Sequence, residues 1–149
     1  LEETLETAVT LAWGELKHHA ELVRSFAGVP HVLGHASELT QVFVHLLLNA
    51  AQALEQQPGT ITIATETDQQ GAVVTISDTG CGVAFEHLPR IFDPFFTTRP
   101  PGRGSGMGLA VCHGIVTRHN GTIALESTPG RGTRVTVRLP ATVGEAVAA

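Results

Sequence analysis

Four glycines stand at alternate positions in the run Gly102-Arg103-Gly104-Ser105-Gly106-Met107-Gly108-Leu109, and the run leads straight into an apolar-periodic segment, Leu109 to His119. Glycine lets the backbone approach a ligand closely. A helix starting behind such a loop offers unbonded N–H groups and the positive end of its dipole. Together these make an anion site, and phosphate is the anion they suit. Two familiar phosphate loops do not fit. A P-loop needs Gly-Lys-Ser/Thr, and the only lysine is Lys17, far upstream. A dinucleotide fingerprint needs Gly-x-Gly-x-x-Gly behind a strand, and no register starting at Gly102, Gly104 or Gly106 supplies it. The bland alternative is a flexible linker, which rarely feeds a periodic helix.

Three further positions carry chemistry. Between Ser37 and Gln56, Leu39, Val42, Phe43, Leu46, Leu47, Ala50, Ala53 and Leu54 form one broad apolar helical face, and Val44, Leu48 and Ala51 make the opposite side apolar too. A narrow polar seam remains: Glu38, Gln41, His45, Asn49, Gln52 and Gln56. Such a seam is either a solvent-facing stripe or the wall of a cavity. In a cavity, the Asn49 amide oxygen suits Mg²⁺ that also touches phosphates and water. Asp78 shares a strand face with Val74 and Ile76, and a carboxylate there is costly unless it meets a donor. It is either an Asx-turn residue or an acceptor for an exocyclic amine such as that of adenine. Thr133 shares a face with Val135 and Val137, so its hydroxyl points the same way.

The elements that must position these groups follow from periodicity. Leu1, Leu5, Val9 and Ala12 predict a helix to about residue 13, broken at Gly14. A strand is expected within Leu16–Phe26, then a loop through Val29 to Gly34. Ser37 is the expected N-cap of the next helix. Thr60–Thr67 and Ala72–Asp78 alternate as strands around a turn at Asp68–Gly71. A loop with a helical turn follows to Leu88, then a long proline-bearing loop, Phe92 to Gly106. Strands near Thr122–Ser127 and Thr133–Leu139 close the chain, with a frayed tail after Pro140. Strands and helices without strict βαβ alternation argue for an α+β sandwich with an antiparallel-rich sheet and helices on one face.

Composition excludes several classes. A chain of 149 residues is one domain, and 42% hydrophobic with 15% charged residues is globular, not disordered. A net charge of −5 and a single lysine leave no basic stripe for nucleic acid. No apolar run reaches the roughly 18 residues of a membrane span. The start Leu1-Glu2-Glu3 has no basic n-region of a signal peptide and no Met, which suggests an excised piece of something longer. Cys81 and Cys112 make no disulfide framework, and a reducing, cytoplasmic setting is expected. The eight histidines form no metal motif; His18 and His19 are merely adjacent.

Taken in order, five segments resemble the catalytic, ATP-binding domain of sensor histidine kinases, with the flavour of the nitrogen-regulatory type. His45 to Ala53 looks like the N box, and Asp78-Thr79-Gly80-Cys81-Gly82 like the first glycine box. Phe92 to Arg99 looks like the F box, Gly104 to Leu109 like the second glycine box, and Gly130-Arg131-Gly132-Thr133 like the box after it. The likeness runs from about residue 16 to 140. It implies the Bergerat ATP-binding fold, a mixed, mostly antiparallel sheet under one layer of helices.

By position, Asn49 would coordinate Mg²⁺ bridging the phosphates of ATP. Asp78 would accept from the adenine amine, with Thr133 helping through water. Gln52, Ala53, Gly80, Gly82 and Val83 would line the nucleotide. Residues 93–107 would form a lid, and Phe92 just before it, with Phe95, Thr97, Thr98, Gly104 and Ser105 within it, would flank ATP. Amides from Gly106 through Met107 and Gly108 to Leu109 would hold phosphates. Arg99 would neutralise charge in the transfer of a γ-phosphoryl group to histidine, a reaction that needs positioning and electrostatics more than covalent help; Arg103 is a second candidate.

Two departures stand out. His45 replaces the first asparagine of the N box; in related ATPases such as DNA gyrase the corresponding residue is a catalytic glutamate. An acceptor histidine is missing too, because His18 and His19 fall in the expected first strand. Residues 1–14 are therefore expected to be the end of a preceding dimerisation hairpin, 15–140 the ATP-binding domain and 141–149 a flexible tail. Such a fragment would bind ATP without phosphorylating itself. Its implied partners are its own dimerisation and phosphoacceptor domain, in a homodimer, and a downstream response regulator, without nucleic acid or membrane contact. The alternatives are a degenerate, non-transferring ATP-binding module, which His45 favours, or another ATPase or serine kinase of the same superfamily.

Overall fold

In a computed structural model, residues 1–29, 32–94, 96 and 108–141 are described. The apolar stripe that starts at Leu5 does not stop at Gly14. It continues as Leu5, Ala8, Val9, Ala12 and Leu16, all buried, on one helix α1, Glu2–His19. A Cβ added at Gly14 would touch nothing, so the glycine sits on the open side and only its intrinsic propensity is lost. The expected break at Gly14 is thus absent. His18 and His19 close the last turn of α1, not the first strand, and β1 begins at Ala20. Residues 1–14 share a core with the rest of the chain, since α1 packs along the central helix.

That central helix is α2, Ala36–Ala53. His35, not Ser37, occupies its N-cap, and no side chain caps it. Leu39, Val42, Phe43, Leu46, Leu47, Ala50 and Ala51 are buried, while Val44 and Leu48 are half-buried against the same core. Beneath it lies a five-stranded sheet in the order β1-β2-β3-β5-β4. The strands are β1 Ala20–Phe26, β2 Gly59–Asp68, β3 Gly71–Asp78, β4 Thr122–Thr128 and β5 Gly132–Pro140. Only β1 and β2 pair in parallel, with α2 as their crossover; the other three pairs are antiparallel. The expected mixed sheet with helices on one face is what the chain forms. The β2–β3 turn is held by Asp68, whose Oδ1 accepts the N–H groups of Gln70 at 2.8 Å and Gly71 at 3.1 Å.

The third helix, α3, spans Gly108–Arg118, after a short 3₁₀ turn at Phe85–Arg90. Its far end is fastened to the start of α2 by His119. The His35 N–H donates to His119 Nε2 at 3.1 Å, and His119 Nδ1 donates to the Ile115 carbonyl at 2.8 Å. The neutral tautomer protonated at Nδ1 satisfies both bonds. Arg118 pairs with Glu38 at 2.8 Å beside it. Among the described residues, no helix is long and apolar enough to cross a membrane.

Because α1 belongs to the core, removing its buried side chains should unfold the whole unit. Leu5→Ala or Leu16→Ala is expected to lower stability by about 2–5 kcal/mol in urea denaturation. A loss below about 0.5 kcal/mol, the size of an ordinary surface substitution, would mean that α1 stands apart.

Candidate functional site: a cavity between the central helix and the sheet

Alternation along β3 turns Val74, Ile76 and Asp78 toward the helices, and across the ladder Val137, Val135 and Thr133 do the same. Asp78 and Thr133 are direct partners at the end of this ladder. Both line a cavity of about 370 Å³ between α2, the sheet and the start of α3. Asp78 Oδ1 accepts the Gly80 N–H at 2.8 Å, the Asx turn expected from Asp-x-Gly. Burial pushes the Asp78 carboxyl above the usual carboxylate range, against the opposing pull of N–H groups from Gly80 and Thr133. Leu46, Ile76, Ile91, Leu125 and Val135 supply apolar walls around it. Apolar walls beside a half-buried acceptor fit a heteroaromatic ring that carries an N–H donor.

The other end of the cavity is polar. His45, Asn49 and Gln52 reach it from the α2 seam, and Gly108 and Leu109 from the first turn of α3. A Cβ on Gly108 would lie 3.5 Å from His45 Nδ1, so the imidazole sits directly beside the α3 N-terminus. Burial holds His45 below its ordinary value, which keeps the ring neutral at pH 7. Among the described residues no group of three His, Cys, Asp or Glu could hold a metal ion. A cation here would therefore take most of its ligands from a bound anion and water, with the Asn49 amide oxygen as the protein's share. That donor set suits Mg²⁺, which keeps waters and phosphate oxygens in preference to an all-protein cage.

Of the expected site residues, His45, Asn49, Gln52, Ala53, Asp78, Gly82, Val83, Gly108, Leu109 and Thr133 all line this one cavity. Gly80 does not. It is buried against the end of α2, where a Cβ would lie 2.5 Å from the Ala53 carbonyl oxygen. The same carbonyl accepts the Cys81 N–H at 3.2 Å, so Gly80 permits the docking of the loop on the helix. Phe92 is absent from the lining as well; its ring lies on His113, with centroids 5.5 Å apart. Ile91 and Phe96 line the cavity instead. Phe95, Thr97, Thr98, Arg99, Arg103, Gly104, Ser105, Gly106 and Met107 lie outside the described residues, as does the tail beyond Ala141.

Sequence reasoning missed Cys81, Leu125 and Val135 in the wall, and Ser127 behind it. Alternation along β4 and β5 already placed Leu125, Ser127 and Val135 on the inner face. No local signal gave Ile91 or Phe96, whose placement follows the 3₁₀ turn before them.

Residues 34–143 match a family described as histidine kinase-, DNA gyrase B- and HSP90-like ATPase. The chain belongs to this family. Among curated relatives of this ATPase domain, a putative sensor protein of Shewanella frigidimarina is 38% identical over 135 residues, 91% of this chain and 21% of that protein. The sensor histidine kinase ZraS of Escherichia coli O157:H7 is 40% identical over 115 residues, 77% of this chain and 24% of that protein. The chain thus spans about a fifth to a quarter of the length of the curated relatives it matches. Among solved structures, the catalytic domain of histidine kinase ThkA superposes with a TM-score of 0.81 at 25% identity, over 93% of this chain and 92% of that one. The mycobacterial sensor histidine kinase MprB gives 0.81 at 24% identity, covering 93% of each chain, a likeness of fold.

The half-buried carboxyl of Asp78 makes stability depend on pH. Its folded value lies above its unfolded one, so between the two the native state binds more protons than the unfolded state. Stability is greatest below the ordinary carboxylate value and is lost as pH rises through the raised folded value. Asp78→Asn carries no charge and should escape that loss. Urea denaturation should show the variant gaining on the wild-type chain between about pH 4 and pH 7. A difference that stays flat with pH would mean that the carboxylate is not held in a desolvated site.

Proposed function

We propose that this chain is the ATP-binding catalytic domain of a sensor histidine kinase, and that it donates the γ-phosphoryl group of ATP to a histidine on a separate dimerisation domain. One observation carries the reading: a single cavity has apolar walls and a half-buried acceptor at one end, and an amide, a neutral imidazole and a helix N-terminus at the other. A nucleoside triphosphate has that same division. Asp78 would hold the adenine amine between the walls formed by Ile76, Ile91 and Val135. The first-turn N–H groups of α3 would take phosphate oxygens, as helix N-termini do. Asn49 would hold Mg²⁺ against those oxygens, and the metal, when bound, neutralises charge on the transferring group. His45, neutral beside Gly108, adds a donor or acceptor without adding charge. Arg99 supplies a cation from the sequence that follows Phe96. The catalytic unit takes in α1, whose stripe lies in the same core. The acceptor hairpin and the homodimer it builds would lie outside this chain, and the response regulator would be a separate partner downstream.

Calorimetry tests the nucleotide reading. ATP should bind, and Mg²⁺ should tighten it. Asp78→Asn should weaken binding by about 1.5–3 kcal/mol, the worth of a hydrogen bond to a charged group. Asn49→Ala should remove the gain from Mg²⁺ while keeping most of the metal-free affinity. An Asn49→Ala chain that still responds fully to Mg²⁺ rules out the metal role. Mixing the chain with a matching acceptor hairpin and labelled ATP should label a histidine. Tight ATP binding with no label would assign the chain to the non-transferring alternative.

A further inference from the structure

The hydroxyl of Ser127 sits among three partners. The Val83 N–H, which can only donate, reaches Ser127 Oγ at 2.7 Å. The Gly132 carbonyl, which can only accept, lies 3.0 Å from the same oxygen. Thr133 Oγ1, which can do either, lies 2.9 Å away. A serine hydroxyl has one proton and two lone pairs. Only one assignment makes all three contacts hydrogen bonds: Ser127 donates to Gly132, and accepts from both Val83 and Thr133. The proton of Thr133 is then committed, and Thr133 can offer the cavity nothing but lone pairs. Its ladder partner Asp78, when ionised, is likewise an acceptor only.

We propose that Ser127 is a positioning residue for base specificity: by holding the hydroxyl proton of Thr133, it leaves the Asp78 and Thr133 side chains with acceptors alone and so selects a base with an exocyclic amine over one with an exocyclic oxo group. The inference rests on the nucleotide reading above. Adenine presents two N–H bonds at its 6-position. Hypoxanthine presents an N–H at position 1 and an oxygen at position 6. Asp78 accepts from that N–H, but the oxygen then needs a donor beside it. A freely turning threonine would supply one. A threonine locked by Ser127 does not, and the oxygen is buried without a partner, which is the strongest way a site rejects an analogue. Ser127 is not itself part of the cavity wall. It acts through Thr133, and through Val83 it also tethers the loop after β3 to the β4–β5 hairpin.

Titrating the chain with ATP and with inosine triphosphate, in the presence of Mg²⁺, separates these effects. The wild-type chain should prefer ATP by about tenfold or more, the worth of one hydrogen bond left unmade. Ser127→Ala frees the Thr133 hydroxyl, and the preference should fall to within about threefold, with inosine triphosphate binding as tightly as before or tighter. Ser127→Thr keeps the hydroxyl and should restore the preference. Thr133→Val removes acceptor and donor together, and should weaken ATP without strengthening inosine triphosphate. If Ser127→Ala weakens both nucleotides alike and leaves their ratio unchanged, Ser127 is only a tether and the proposal is overturned. A wild-type chain that binds both nucleotides equally overturns it without any variant. A wild-type chain that binds neither overturns the nucleotide reading itself.

Discussion

The molecule is organised by one constraint: α2 is buried on three sides. The sheet lies beneath it, α1 along one flank and α3 along the other. Val42, Phe43 and Leu47 have no exposed surface at all. Polar residues are costly in such a helix unless they share one strip, and a spacing of three or four residues places His45, Asn49 and Gln52 on one strip. The cavity is the space left along this strip, between α2, the sheet and the start of α3. The same helix also fixes the opposite end of that space, because its last turn offers the Ala53 carbonyl to the loop carrying Asp78. Both ends of the cavity are therefore gauged from a single rigid rod.

Those ends meet desolvation with opposite outcomes. Burial raises the affinity of Asp78 for its proton and lowers that of His45. Each group is pushed toward neutrality. Backbone N–H groups from Gly80 and Thr133 work against this at Asp78 and help keep a carboxylate available. At His45 no opposing cause is resolved, and the ring settles as a neutral group. A ligand donor arriving at Asp78 would join donors that the backbone already supplies, so the pocket is partly organised before it is filled.

Much of this was legible in the chain, and the gaps have physical reasons. The inward set on β3 and β5 followed from alternation, because a one-residue slip would turn every apolar side chain outward. The α2 seam followed from its helical period. The length of α1 did not, because Gly14 by itself disfavours a helix, and burial of the stripe that runs on to Leu16 overrides that propensity of about 1 kcal/mol. Ser37 carries a capping side chain, but the N-cap falls two residues earlier, at His35, whose backbone is tied to His119 from across the fold. The motif around Gly80 points to a wall of the site, whereas the requirement for glycine is set by the helix end it touches. Ser127 is the most instructive omission. Its face was readable from the sequence, but its importance lies in which proton it holds, and only three distances together reveal that.

The pairing of β3 with β5 has a consequence for how the molecule holds together. Of the four strand pairs it spans the greatest length of chain, and it places Thr133 opposite Asp78. Closing that loop carries the largest entropic penalty in the sheet. The cavity therefore exists only when the entropically costliest pairing of the sheet is made. A molecule seated between Asp78, Thr133 and α2 would bridge the early half of the chain and the late half. Its binding free energy would add to the stability of the whole domain rather than to one loop. Occupancy and global unfolding would then be two readings of one equilibrium.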